Sequence, residues 1–242
     1  VGQLRDRLGG DPFWTRDEVL GHGFDFRPMW RKRRVPSETW TSSLSDLPDA
    51  RRGRQYRHIT RGDLLTATNN RPDDIGRLLV GCYAWGTGDL GFLVGRRAQV
   101  FVKNSPDAIT NKLAKALAVL RGTGPVDAYE VLARGNECHT PYLGPSFYTK
   151  LLYAADARPE AEAGTALILD QFVAIALNKV EGWDLPEQGP WDRDQYQRWL
   201  DFAHNHARNE STEDAPVRPD AVEAAMFRRG RAIYRKRRAA GG

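Results

Sequence analysis

An aspartate and a lysine carry the chemistry this chain could do. Asp170 sits in TALILDQFVAIAL, where positions 167–169, 172, 173 and 175–177 are apolar. The pattern predicts a helix buried on most faces, with Asp170 inside it. An ionised carboxylate there is costly unless it is paired or hydrogen-bonded, so its retention points to a cap, a salt bridge or a reaction. As a cap it would satisfy the free N–H groups of a helix start. As a catalytic group it would stabilise a developing positive charge, or orient and deprotonate a water. Lys150 lies upstream in TPYLGPSFYTKLLYAA. Its amine is a candidate Schiff-base nucleophile; the alternatives are a phosphate contact or a solvated helix charge.

These two groups need elements to hold them. Pro141-Tyr142-Leu143-Gly144-Pro145-Ser146 has the composition of a tight turn running into a helix that starts at about Pro145, since proline suits a first helical position. The unbonded N–H groups of a first turn carry partial positive charge and suit a phosphate. Gly144, Pro145 and Ser146, with Thr149 further along the same helix, are therefore candidate DNA contacts. A corner between two helices with no ligand would have the same spacing.

The charge distribution favours a polyanion. The chain has 242 residues and a net charge of +5. Basic clusters fall at 31–34 (RKRR), 51–58 (RRGRQYRH) and 227–238 (FRRGRAIYRKRR), and the last of these adds Arg228 and Arg229 to the candidate DNA contacts. A solvated surface with a basic tail is the alternative. No segment is apolar enough to span a bilayer and none has a signal-peptide pattern, which predicts a cytoplasmic protein with no membrane partner. Cys82 and Cys138 are too few for a four-cysteine cluster. His204 and His206, two apart on a helix, point about 200° away from each other and make a poor metal pair. Neither a metal nor a cofactor is expected.

Helical periodicity dominates from about Asp73. Ser105 and Pro106 open a helix with an apolar stripe at Ile109, Leu113, Ala116, Leu117 and Leu120, which Gly122 ends. A shorter helix ends at Gly135, another carries Tyr196, Trp199, Leu200 and Ala203 on one face, and the last starts near Pro219. WGTGDLGFLVGRR (85–97) reads as a loop or turn, and 156–164 and 208–219 as loops. Gly86-x-Gly88-x-x-Gly91 lacks the strand–helix unit of a dinucleotide site. The expected architecture is mainly α, a helical bundle over 73–242 with a basic C-terminal helix. Residues 1–72 form an irregular or mixed part packed against it.

The hairpin and the aspartate together resemble the helix-hairpin-helix DNA glycosylases. That superfamily places a Leu-Pro-Gly-Val-Gly-type hairpin before a helix, followed some turns later by an Asp in a Val/Leu-Asp-x-x-Val context. This chain has PYLGPS, then Leu169-Asp170 followed by Val173. The likeness covers roughly 108–178 and is closest to the 8-oxoguanine glycosylase-type fold, including bacterial proteins implicated in attacking modified phage DNA. It implies that Gly144 matches the second hairpin glycine and Asp170 the catalytic aspartate. Tyr142 replaces the first glycine, and the hairpin-to-Asp spacing is longer than usual. Bifunctional members carry a lysine two residues after the second glycine. Here Ser146 stands there, and Lys150 lies one turn further on the same face.

The resemblance implies a monomeric enzyme that hydrolyses the N-glycosidic bond of a modified base in double-stranded DNA. Glucosylated hydroxymethylcytosine of phage DNA is the first candidate and 8-oxoguanine the second. A DNA-binding module without catalysis is a third reading. A glycosylase must flip its target out of the stack and needs an aromatic pocket. Tyr83, Trp85, Phe147 and Tyr148 are the candidates for its walls.

Overall fold

The computed structural model describes residues 4–29, 34–35, 37–70, 75–88, 91–156 and 166–241. Arg31–Arg33 of the first basic cluster, the acidic Asp73 and Asp74, Asp89 and Leu90 of the glycine-rich segment, and 157–164 of the expected loop lie outside these residues. The described chain is mainly helical. It begins with α1 (Leu4–Leu8), α2 (Arg16–Leu20), β1 (Gly23–Phe26), α3 (Glu38–Thr41), β2 (Arg57–Thr60) and α4 (Arg61–Asn70). There follow α5 (Ile75–Thr87), α6 (Gly91–Arg97), α7 (Gln99–Val102), α8 (Pro106–Gly122) and α9 (Pro125–Leu132). The chain ends with α10 (Pro145–Asp156), α11 (Gln171–Glu181), α12 (Arg193–Glu210) and α13 (Pro219–Ala240).

Local chemistry explains most of these boundaries. Ser105 caps α8 by accepting from the Ala108 N–H, Pro106 takes its first position, and the five stripe residues are its buried ones. Asp192 and Gln195 form a reciprocal capping box at the start of α12, which buries Tyr196, Trp199, Leu200, Ala203 and Ala207. The ribbon is antiparallel, pairing Gly23 with Thr60 and Phe26 with Arg57.

Two expectations need correction. The glycine-rich segment is largely helical: α5 continues through Gly86 to Thr87, and 91–97 is α6. Gly86 serves packing, since a Cβ there would meet Phe147 Cε1 at 3.0 Å and Lys150 Cδ at 3.3 Å. Residues 166–170 are not helical; α11 begins only at Gln171. Asp170 is extended, with φ −136° and ψ −179°, so it stands before the helix and not within it. The apolar run reads as one helix because a fully buried extended segment is as continuously apolar as a buried helix.

The apolar core runs from Leu4 to Phe227 and takes residues from both sides of position 72. The N-terminal part is also locked to the bundle by polar groups. Arg61, at the start of α4, pairs with Glu223 of α13, and both are almost fully buried. The Arg61 guanidinium stacks over Trp85 at 5.3 Å and over Tyr153 at 5.1 Å.

Candidate active site

The end of the 166–170 segment meets the first turns of α10, and there the two candidate catalytic groups come together. Lys150 Nζ donates to Asp170 Oδ2 at 3.1 Å and to Ser146 O at 2.9 Å. Lys150 and Asp170 are 5% and 8% exposed, so water screens the pair poorly. The other oxygen, Asp170 Oδ1, accepts from the Phe172 N–H at 3.0 Å and the Val173 N–H at 3.3 Å. Cap and catalytic candidate are thus the same residue. The helix start pins one oxygen, and the second is left facing the amine.

The aspartate is positioned from behind by Thr149. Its hydroxyl lies 2.8 Å from Pro145 O and 3.1 Å from Leu169 O, and accepts from the Leu169 N–H at 3.3 Å. Thr149 is 0% exposed, which corrects its expected place among the DNA contacts. Its side chain ties the extended segment to α10. Trp199 Nε1 donates to Ile168 O and the Tyr196 hydroxyl to Leu167 O, holding the same segment from α12.

Above the pair opens a cavity of about 680 Å³, within the usual range for small-molecule sites. Lys150, Asp170 and Ser146 line it together with Trp85 and Phe147. The amine lies 5.8 Å from the Trp85 ring and 5.6 Å from the Phe147 ring. Tyr83 and Tyr148 are not among the lining residues, which corrects half of the expected aromatic set. The Tyr83 hydroxyl donates to Val94 O inside the core. The Tyr148 ring packs edge-on against Tyr129 at 5.0 Å, and burial pushes its phenol pKa far up.

The cavity's other walls were missed. Phe24 comes from the ribbon, Phe172 from α11, Arg97 from α6, and Phe227, Arg231, Tyr234, Arg235 and Arg238 from α13. The α13 residues recur at helical spacing on one face. The stripe lies inside the basic cluster 227–238, where the density of arginines masks its helical spacing. Burial, and next the neighbouring Arg235, lower the Arg231 pKa, so the rim gathers cations whose charges repel. Arg97 sits over Phe147 at 5.1 Å.

Arg228 and Arg229 lie elsewhere on α13. Arg228 covers Trp14 at 4.5 Å and donates to Pro12 O, bracing the N-terminal part. Arg229 lies beside Gly9. Neither lines the cavity. Gly144 opens α10, and its carbonyl accepts from the Phe147 and Tyr148 N–H groups. Gly144, Pro145 and Ser146 are partly exposed. Among the described residues no group of three or more His, Cys, Asp or Glu side chains could hold a metal ion. No described helix is long and apolar enough to cross a membrane.

The turn at 140–143 leads into α10, a capped aspartate faces that helix, and an aromatic cavity rimmed by arginines opens beside them. A family model described as "Putative 8-oxoguanine DNA glycosylase OGG-like protein" matches residues 17–227, and the chain belongs to this DNA glycosylase family. The match contains the hairpin, Lys150 and Asp170, and ends before Arg231. No curated protein and no solved structure matches the chain.

Proposed function

We propose that this protein is a DNA glycosylase with lyase activity, acting on a modified base flipped out of duplex DNA. The observation that carries this reading is the Lys150–Asp170 contact at 3.1 Å on the wall of the aromatic cavity. Asp170 takes a proton from the Lys150 ammonium, and the neutral amine attacks C1′ as the bond from C1′ to the base nitrogen breaks. The base leaves with that electron pair and acquires a proton. Asp170 passes the lysine's proton to the departing base, and its restored carboxylate stabilises the positive charge on the sugar. Ring opening, with protonation of O4′, gives an imine between Lys150 and C1′. Loss of a C2′ proton then expels the 3′ phosphate, and water releases the lysine.

Trp85, Phe147 and Phe172 offer faces for the flipped base, while Arg231, Arg235 and Arg238 at the mouth suit the flanking phosphates. The backbone N–H groups of Gly144 and Ser146 are available to the phosphodiester backbone, and Pro145, which has none, sets the start of the helix between them. The protein is expected to act as a monomer, as one cavity holds all the groups used. The first candidate base is glucosylated hydroxymethylcytosine in phage DNA, which implies a defence role; 8-oxoguanine is the second. The cavity's volume and open mouth favour a base with a bulky substituent.

The test is base release from phage DNA carrying glucosylated hydroxymethylcytosine and from duplexes carrying 8-oxoguanine, read by mass spectrometry. Release of one base by the wild type, lost in Asp170→Asn, supports the reading and names the substrate. DNA bound with neither base released would favour a non-catalytic binding module.

A further inference from the structure

The hairpin contains a conformation its side chain should avoid. Thr140 to Leu143 closes a turn through the Leu143 N–H to Thr140 O at 3.0 Å, with Pro141 second and Tyr142 third. The φ of Tyr142 is 69°, and no other non-glycine residue described has a positive φ. Proline second and positive φ third is the type II pattern, whose third position calls for glycine. A tyrosine there strains the backbone.

Burial does not repay this strain. Tyr142 is 57% exposed, one of three large apolar side chains so exposed among those described. Val102, the last residue of α7, is another, also at 57%. Asn104, two residues on, donates to Pro141 O at 3.1 Å and to Val100 O at 2.8 Å, stapling the end of α7 to the turn. The Asn104 bond thus brings the end of α7, with Val102 and the exposed Lys103, to the turn that carries Tyr142.

We propose that Tyr142 is a DNA-contacting residue whose ring packs against the sugars and base edges of the minor groove beside the phosphates held by the hairpin amides. Val102 extends the same apolar edge. Exposed apolar side chains next to backbone contacts suit that groove, where such groups widen or unstack the duplex. The inference rests on the reading of the hairpin as a DNA contact, and adds that this chain exchanges hairpin stability for an apolar foothold.

The test compares full-length wild type with Tyr142→Gly, Tyr142→Asn and Tyr142→Phe, measuring melting temperature and affinity for an unmodified duplex over a salt series. Glycine and asparagine tolerate positive φ, so both variants should melt at or above the wild-type temperature. Both should bind DNA about tenfold more weakly, with an unchanged salt slope because no cation is lost. Phenylalanine should retain the affinity. Wild-type affinity in Tyr142→Gly would overturn the proposal, as would a fall in affinity accompanied by a fall in melting temperature. A wild type that binds no DNA would overturn it as well. Duplex affinity that depends on Tyr142 in a protein that releases no base would support the hairpin contact while refuting the glycosylase reading.

Discussion

Asp170 performs two tasks that substitutions can separate. Its Oδ1 caps α11 and its Oδ2 faces Lys150. Asparagine caps a helix about as well as aspartate, so Asp170→Asn keeps the cap and loses only the charge paired with the buried Lys150, a loss of stability it shares with Asp170→Ala. Base release should fall at least a hundredfold, since the charge opposite the developing cation is gone. Asp170→Ala loses both functions and should cost about 1 kcal/mol more in stability. Base release retained in Asp170→Asn, with a larger loss of stability in Asp170→Ala, would make Asp170 a cap alone. The sequence marked this residue as out of place among apolar neighbours. It did not disclose that the run breaks from extended chain to helix there, because the holding bonds come from Thr149, Tyr196 and Trp199, all remote in sequence.

At the scale of elements, the site depends on how closely α13 lies against α11. A Cβ at Gly230 would stand 1.7 Å from the Phe172 carbonyl oxygen, a backbone atom that cannot rotate away. Gly230→Ala must therefore push α13 from the first turn of α11, where Asp170 and Phe172 are fixed. The expected cost is about 2 kcal/mol or more, with a lower rate of base release at saturating DNA. A variant matching the wild type in melting temperature and rate would mean the crossing is looser than the structure has it. Helices such as α8 and α12 were legible because caps and stripe lie within one segment. The cavity wall was not: Phe24, Arg97 and the α13 stripe meet only through tertiary packing, and Tyr83 and Tyr148 share the composition of pocket residues while serving the core.

The whole molecule carries its own pH dependence through His22. The ring packs against Trp14, Phe24, Trp85 and Phe227, joining the N-terminal part to two cavity walls. Burial, then the charge of Arg61, lowers its pKa from 6.5 to about 3; Arg231 and Arg228 add to the effect and Asp170 opposes it. The native state keeps His22 neutral where the unfolded chain has taken up a proton. The unfolded state therefore binds more protons between these values, and this contribution is full above pH 6.5 and lost as pH falls towards 3. Melting temperature followed from pH 7 to pH 4 should fall less steeply in His22→Phe than in the wild type. Parallel curves would remove His22 as the cause.

The central claim is that Lys150 attacks the sugar beside Asp170. The most direct measurement is borohydride reduction of the protein during reaction with duplex substrate, followed by peptide mass spectrometry. A reduced DNA adduct on Lys150, absent in Lys150→Gln and strongly diminished in Asp170→Asn, is the expected result. Base release with no adduct, or an adduct on another residue, would contradict it.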